Sequence, residues 1–187
     1  MFRAVILNSL LIGTMAAAGF AQAQSPDKDD KKLDIRSSAG DLHVGNDADA
    51  QKAGLPLYPG ARLKKDEHDS PVNLGAFTEA FGMKLVVAKY DSNDAPGKII
   101  DFYREQLKKY GKVLECHTTK RDDDADVNDD DKSEALKCEG SNTGPVTELK
   151  VGTQKSQHVV AIEPHDGGTG ATFDLVYVHL RGKEDDI

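Results

Sequence analysis

Asp94-Ala95-Pro96-Gly97-Lys98-Ile99-Ile100-Asp101-Phe102-Tyr103-Arg104-Glu105-Gln106-Leu107-Lys108-Lys109-Tyr110-Gly111 is the stretch whose reading decides the fold. Ile99, Phe102, Tyr103, Leu107 and Tyr110 recur at spacings of three and four, which gathers them on one stripe of an α-helix. Pro96 is tolerated in a first turn, where its missing N–H has no bond to lose, and Asp94 reads as the N-cap. Lys108 and Lys109 fall in the last turn, where the helix dipole favours cations, and Gly111 reads as the C-terminal cap. The spacing predicts a helix over 96–110.

Around this helix the pattern is that of strands. Residues 74–81 and 83–90 read as two strands about Gly82. In the second, Met83, Leu85 and Val87 alternate with Lys84, Val86 and Ala88, and apolar residues on both faces mark a central strand. Upstream, Pro59-Gly60 is a type II turn signal inside Leu55-Pro56-Leu57-Tyr58-Pro59-Gly60-Ala61. Downstream, strands are expected near 112–118, 135–140, 147–153, 156–163 and 171–180. In the last, Phe173, Leu175 and Tyr177 share one face while Val176 and Val178 fall on the other. One helix cannot cover both faces of a parallel sheet. The expected architecture is therefore α+β: a mainly antiparallel sheet with one principal helix packed on one face.

Toward the N-terminus the character changes. Arg3 is followed by an apolar stretch to Phe20 and by Ala21-Gln22-Ala23, a small-x-small site. Residues 1–23 read as a signal peptide cleaved after Ala23, with no membrane span left after cleavage. Residues 24–53 read as a flexible polar leader. Within it, Leu33-Asp34-Ile35-Arg36 and Leu42-His43-Val44 alternate about Gly40, a pattern open to a small hairpin or an added edge strand. A single domain is expected over 54–181, with a tail at 182–187.

The chain has 187 residues, a formal net charge of −8 and a pI near 5.2. No basic footprint offsets phosphate repulsion, so nucleic acid is excluded as a partner. Export decides how the two cysteines are read. In an oxidising periplasm or medium, Cys116 and Cys138 pair. The reading is a cross-strand disulfide that closes the polar loop between them, worth roughly 3 kcal/mol. Their spacing is not CxxC, so no thioredoxin-like redox role follows.

That loop, 121–134, carries seven Asp and one Glu against Arg121 and Lys132. Aligned as a calcium loop from Asp122, Asp124 and Asp126, it has Val127 where glycine is required and Ser133 where a bidentate Glu is required. It reads as a solvated, flexible hairpin tip, with weak Ca²⁺ binding as the alternative. His43, His68, His117, His158, His165 and His179 show no zinc spacing. His117 points to the opposite strand face from Cys116, whereas His158 and His179 leave a bipartite metal site open. Gly140-Ser141-Asn142-Thr143-Gly144 puts serine in the second position, so it is not a nucleophile elbow. The glycine-rich 165–170 leads into a strand, so it reads as a hairpin turn and not a phosphate cradle. No catalytic, cofactor-binding or metal residue is assigned, and no cofactor is expected.

The YPGA turn at 58–61, Tyr90-Asp91-Ser92 with Asp94, and Ile99-Ile100-Asp101-Phe102-Tyr103 with Leu107-Lys108-Lys109-Tyr110-Gly111 resemble a loose group of secreted bacterial domains of unknown function. The resemblance covers about 55–111. It implies an envelope-side α+β domain and carries no activity, cofactor or catalytic residue. The expected function is a non-catalytic binding or interaction domain of the cell envelope, periplasmic or secreted, with an envelope protein or ligand as partner. The alternative from another class is a small secreted enzyme, which requires a cleft holding a carboxylate and a histidine of perturbed pKa.

Overall fold

A computed structural model describes residues 32–64, 71–119, 135–138, 140–167 and 169–182. The expected signal peptide, the acidic stretch 121–134, His68 and the tail beyond Gly182 lie outside the described residues.

Nine strands form one antiparallel sheet. In chain order they are β1 (Lys32–Ser37), β2 (Gly40–Gly45), β3 (Arg62–Leu63), β4 (Val72–Phe77), β5 (Phe81–Ser92), β6 (Leu114–Thr118), β7 (Val146–Thr153), β8 (Ser156–Pro164) and β9 (Ala171–Gly182). The order across the sheet is β1-β2-β4-β5-β9-β8-β7-β6, with β3 pairing the far end of β5. Helix α1 (Pro96–Leu107) and a 3₁₀ turn (Lys108–Tyr110) join β5 to β6.

This corrects the expected fold class. The molecule is dominated by its antiparallel sheet and carries one short helix, so it is not an α+β fold built on a principal packed helix. The strength of the helical pattern at 96–110 misled, because period says nothing about share. β5 and β9 run for 12 residues each, and α1 lies mainly over β7 and β8, with Tyr103 reaching Phe173 of β9. The remainder of that sheet face is covered by irregular chain at 46–58, which places Ala48, Ala50, Ala53, Leu55 and Tyr58 in the core. Residues 32–53, read from the sequence as a leader with room for a hairpin, hold β1, β2 and the first part of this cover.

Ile99, Tyr103 and Leu107 are the buried stripe of α1, and they meet Leu149, Val151, Val160, Ile162, Phe173 and Leu175. The cover is fastened by polar groups of buried tyrosines. Ala50 N–H donates to the Tyr90 hydroxyl at 2.8 Å, and Tyr58 N–H to the Tyr103 hydroxyl at 3.2 Å. The Pro59-Gly60 turn forms as expected, closed by Ala61 N–H on the Tyr58 carbonyl at 3.1 Å with Gly60 at φ +79°. At the other end of the sheet, the Phe77 ring lies against Gly75 and Gly82, where a Cβ would stand 3.2 Å from it in each case. The ring replaces the side chains that these two strand glycines lack.

Three local readings change. The N-cap of α1 is Ala95, with no side-chain bond; Asp94 instead accepts the Tyr58 hydroxyl at 2.9 Å and the Lys98 ammonium at 3.2 Å. Gly82 does not separate two strands: the turn falls at 78–80, and β5 begins at Phe81. No strand forms at 135–138; Ala135 makes an isolated bridge to Thr153.

Candidate functional site

Each strand sends alternate side chains to opposite faces, so the register assigns every residue to one side. On the face away from α1, Leu33, Val44, Leu74, Leu85 and Val178 line up across β1, β2, β4, β5 and β9. Ile35, Leu42, Ala76, Met83 and Leu180 form the adjacent row. Val72, Val87, Val176 and Val159 form the row on the other flank. The result is a continuous apolar surface. Toward β9 it closes, with Val178 5% exposed; toward β1 it stays open, with Leu33 at 50%, Ile35 at 47%, and Val44 and Val72 at 39%.

The same face turns charged toward β6. Cys116, Glu148, Ala161, Asp174 and Lys89 occupy one row across β6, β7, β8, β9 and β5. The buried Glu148 forms an ion pair with the partly buried Lys150 at 3.0 Å. Cys116 is fully buried and is bonded to Cys138, with the two Cα atoms 5.4 Å apart. The expected disulfide is present, but it joins β6 to irregular chain and not to a second strand. It pins the segment at 135–138 beside β6, on the edge of the sheet opposite β1.

The described histidines sit mostly on the helix side, and all but His117 are engaged in structural contacts. His43 Nδ1 lies 2.6 Å from Asp34 Oδ1, and its Nε2 lies 3.0 Å from Asn73 Nδ2. Asn73 also donates to Asp47 Oδ1 at 2.9 Å, and the Lys52 ammonium sits 2.6 Å from Asp47 Oδ2. With Asn73 as donor, the network assigns His43 a proton on Nδ1, directed at Asp34. Both ring nitrogens are occupied, so the group knits β1, β2, β4 and the chain at 47–52 without presenting a base. The bonds from Lys52 and Asn73 hold the Asp47 carboxyl far below the ordinary carboxylate range, and the bond from His43 lowers Asp34. At the other end of β5, His165 Nε2 lies 2.8 Å from Asp91 Oδ1 and 3.2 Å from Thr172 Oγ1, closing the β8–β9 hairpin onto β5.

His158 and His179 do share a face, but Tyr177 stands between them, its ring centroid 4.7 Å from His158 and 6.4 Å from His179. Tyr110 stacks on the other side of His158 at 3.9 Å. No group of three metal-ligating side chains occurs among the described residues. Burial, then the neighbouring Lys109 charge, pushes the His158 imidazole down to about 4. At neutral pH it is an uncharged ring in an aromatic stack. His117 is an exposed side chain 3.8 Å from Glu115. A cleft of about 520 Å³ is lined by Asp49, Gln51, Leu55, Leu57 and Tyr90 among others. It contains no histidine, and its Tyr90 hydroxyl already accepts the Ala50 N–H. The perturbed His158 imidazole is not in the lining but borders the cleft at Gly54, where a Cβ would stand 3.1 Å from His158 Nε2.

The fold and surface define a single-sheet, mainly β domain with one closed and one partly open face. Compared with known proteins, the chain matches no family, no curated protein and no solved structure. No described helix is long and apolar enough to cross a membrane. The open face escaped the sequence reading because its outermost strands lay in a segment read as leader. The alternation of Leu33 with Ile35 and of Leu42 with Val44 was the available signal.

Proposed function

We propose that this protein is an exported, non-catalytic domain of the cell envelope, periplasmic or extracellular, that binds a protein or other envelope component through its open sheet face. The observation that carries the reading is the run of four large apolar side chains, Leu33, Ile35, Val44 and Val72, left 39–50% exposed in register on one face. Patches of this kind on soluble proteins mark interaction sites. Export rests on the N-terminal segment, whose charge, apolar stretch and Ala21-Gln22-Ala23 site have the form of a signal peptide. The disulfide accords with an oxidising destination. The test is a photo-crosslinking residue placed at Val72 and, as control, at Lys98 on α1, in the exported protein in its host. Adducts to one defined component from position 72 and none from 98 are expected. No adduct at 72, or the same adducts at both positions, would overturn the reading.

A further inference from the structure

β1 ends the sheet, and among the described residues nothing pairs with its outer edge. All six of its residues are exposed. β1 and β2 are joined by a two-residue loop that closes on Ser37 and Gly40. Such a loop closes on a hydrogen-bonded pair. The alternation of an antiparallel ladder then turns the backbone groups of Ser37, Ile35 and Leu33 toward β2, and those of Arg36, Asp34 and Lys32 outward. The open edge therefore presents three residues of alternating charge ready to accept another strand.

From this charge pattern we infer that the occupant of the β1 edge is β1 of a second copy, paired antiparallel about a two-fold axis at Ile35. In that register Asp34 faces Arg36 of the second copy and Arg36 faces its Asp34, so two opposite-charge pairs form at hydrogen-bonded positions. Such pairs stabilise a ladder, whereas like charges directly opposite destabilise it. A register centred on Asp34 sets Asp34 against Asp34 and Lys32 against Arg36. One centred on Arg36 sets arginine against arginine. One centred on Leu33 pairs Lys32 with Asp34, but Lys32 already lies 3.7 Å from Asp47. Arg36 makes no hydrogen bond or ion pair with any described residue, while Asp34 bonds His43, lies 3.9 Å from Lys32 and feels the positive charge of Arg36 on its own strand. Because the axis stands perpendicular to the sheet, the apolar faces of both copies lie on the same side, and the two Ile35 side chains meet at the seam. This inference stands apart from the envelope-binding reading, since dimerisation at the edge leaves the open face uncovered.

Sedimentation of the purified, non-reduced protein tests it. A concentration-dependent monomer–dimer equilibrium is expected. Arg36→Asp, which leaves the Asp34–His43 bond in place, weakens association at least tenfold, and the exchange Asp34→Arg with Arg36→Asp restores it. A protein monomeric at 100 μM, or an Arg36→Asp variant that dimerises unchanged, would overturn the inference. A second readout does not depend on those variants folding equally well. Ile35→Cys gives a covalent dimer on mild oxidation and Leu33→Cys does not. The reverse pattern, or no covalent dimer from Ile35→Cys, would also overturn it.

Discussion

On the helix side of the sheet, Val86, Val160, Leu175 and Phe173 are completely buried beneath Ile99, Tyr103 and Leu107 and beneath the chain at 46–58. On the other side, Leu33, Ile35, Val44 and Val72 occupy strand positions of the same regularity and keep 39–50% of their surface. The strands are alike; what differs is the chain laid over them. Alternation decides which residues share a face, while coverage depends on the crossing segments. The closed face holds the buried core of the domain, and the open face is the one proposed to take a partner.

The comparison can be broken most forcefully at the centre of the closed face. Phe173→Ala removes a ring that meets Tyr58, Tyr90 and Tyr103, and should cost about 3–5 kcal/mol in urea unfolding. A loss below about 1 kcal/mol would mean that this face is not the core. Next comes the disulfide. Replacing Cys116 and Cys138 together by serine should cost roughly 3 kcal/mol, because the bond closes a separation of 22 residues. Wild-type protein in reductant should match the double variant.

The pH response sharpens the comparison, because it reads burial directly. His158 titrates near 6.5 when unfolded and near 4 when folded. Between those values the unfolded chain binds more protons, so stability is full above pH 6.5 and falls as pH drops toward 4. His158→Phe should flatten that slope while keeping a ring between Tyr110 and Tyr177; an unchanged slope would place its origin elsewhere. Below this window, Asp47 contributes in the same direction. Its folded value is depressed, so its stabilisation is present above the ordinary 3.8 and is lost as pH falls further. Asp47→Asn should remove that acid-side loss. The smallest effect belongs to the open face. Leu33→Ser should change stability by no more than about 0.5 kcal/mol, in line with surface substitutions generally.

Much of this arrangement was legible in the sequence. The periodicity at 96–110 located the helix and its turn-like end. Pro59-Gly60 located the turn at 58–61, and the pairing of Cys116 with Cys138 followed from the expected compartment. The fold class was not legible. A helix announces itself through five residues on one stripe, whereas strands with apolar residues on both faces, such as Phe81–Ser92, announce little beyond themselves. The strands at the open edge were partly legible: the alternation at 33–36 and 42–44 about Gly40 fits the β1–β2 hairpin, but Lys32, Asp34, Arg36 and Asp41 give 32–45 the composition of a leader, and only pairing sets Leu33 and Ile35 beside Val44 and Leu42. Asp94 has the composition of a helix cap, yet the Tyr58 hydroxyl 36 residues away claims its carboxylate. Tertiary contacts of that kind leave no local trace.

Methyl NMR with a soluble paramagnetic agent tests the central claim most directly, because it reads both faces in one sample. The methyl signals of Leu33, Val44 and Val72 should broaden strongly, while those of Ile99, Val160 and Leu175 stay sharp. Equal protection of the two sets would contradict the account, because the face proposed to take a partner would already be closed.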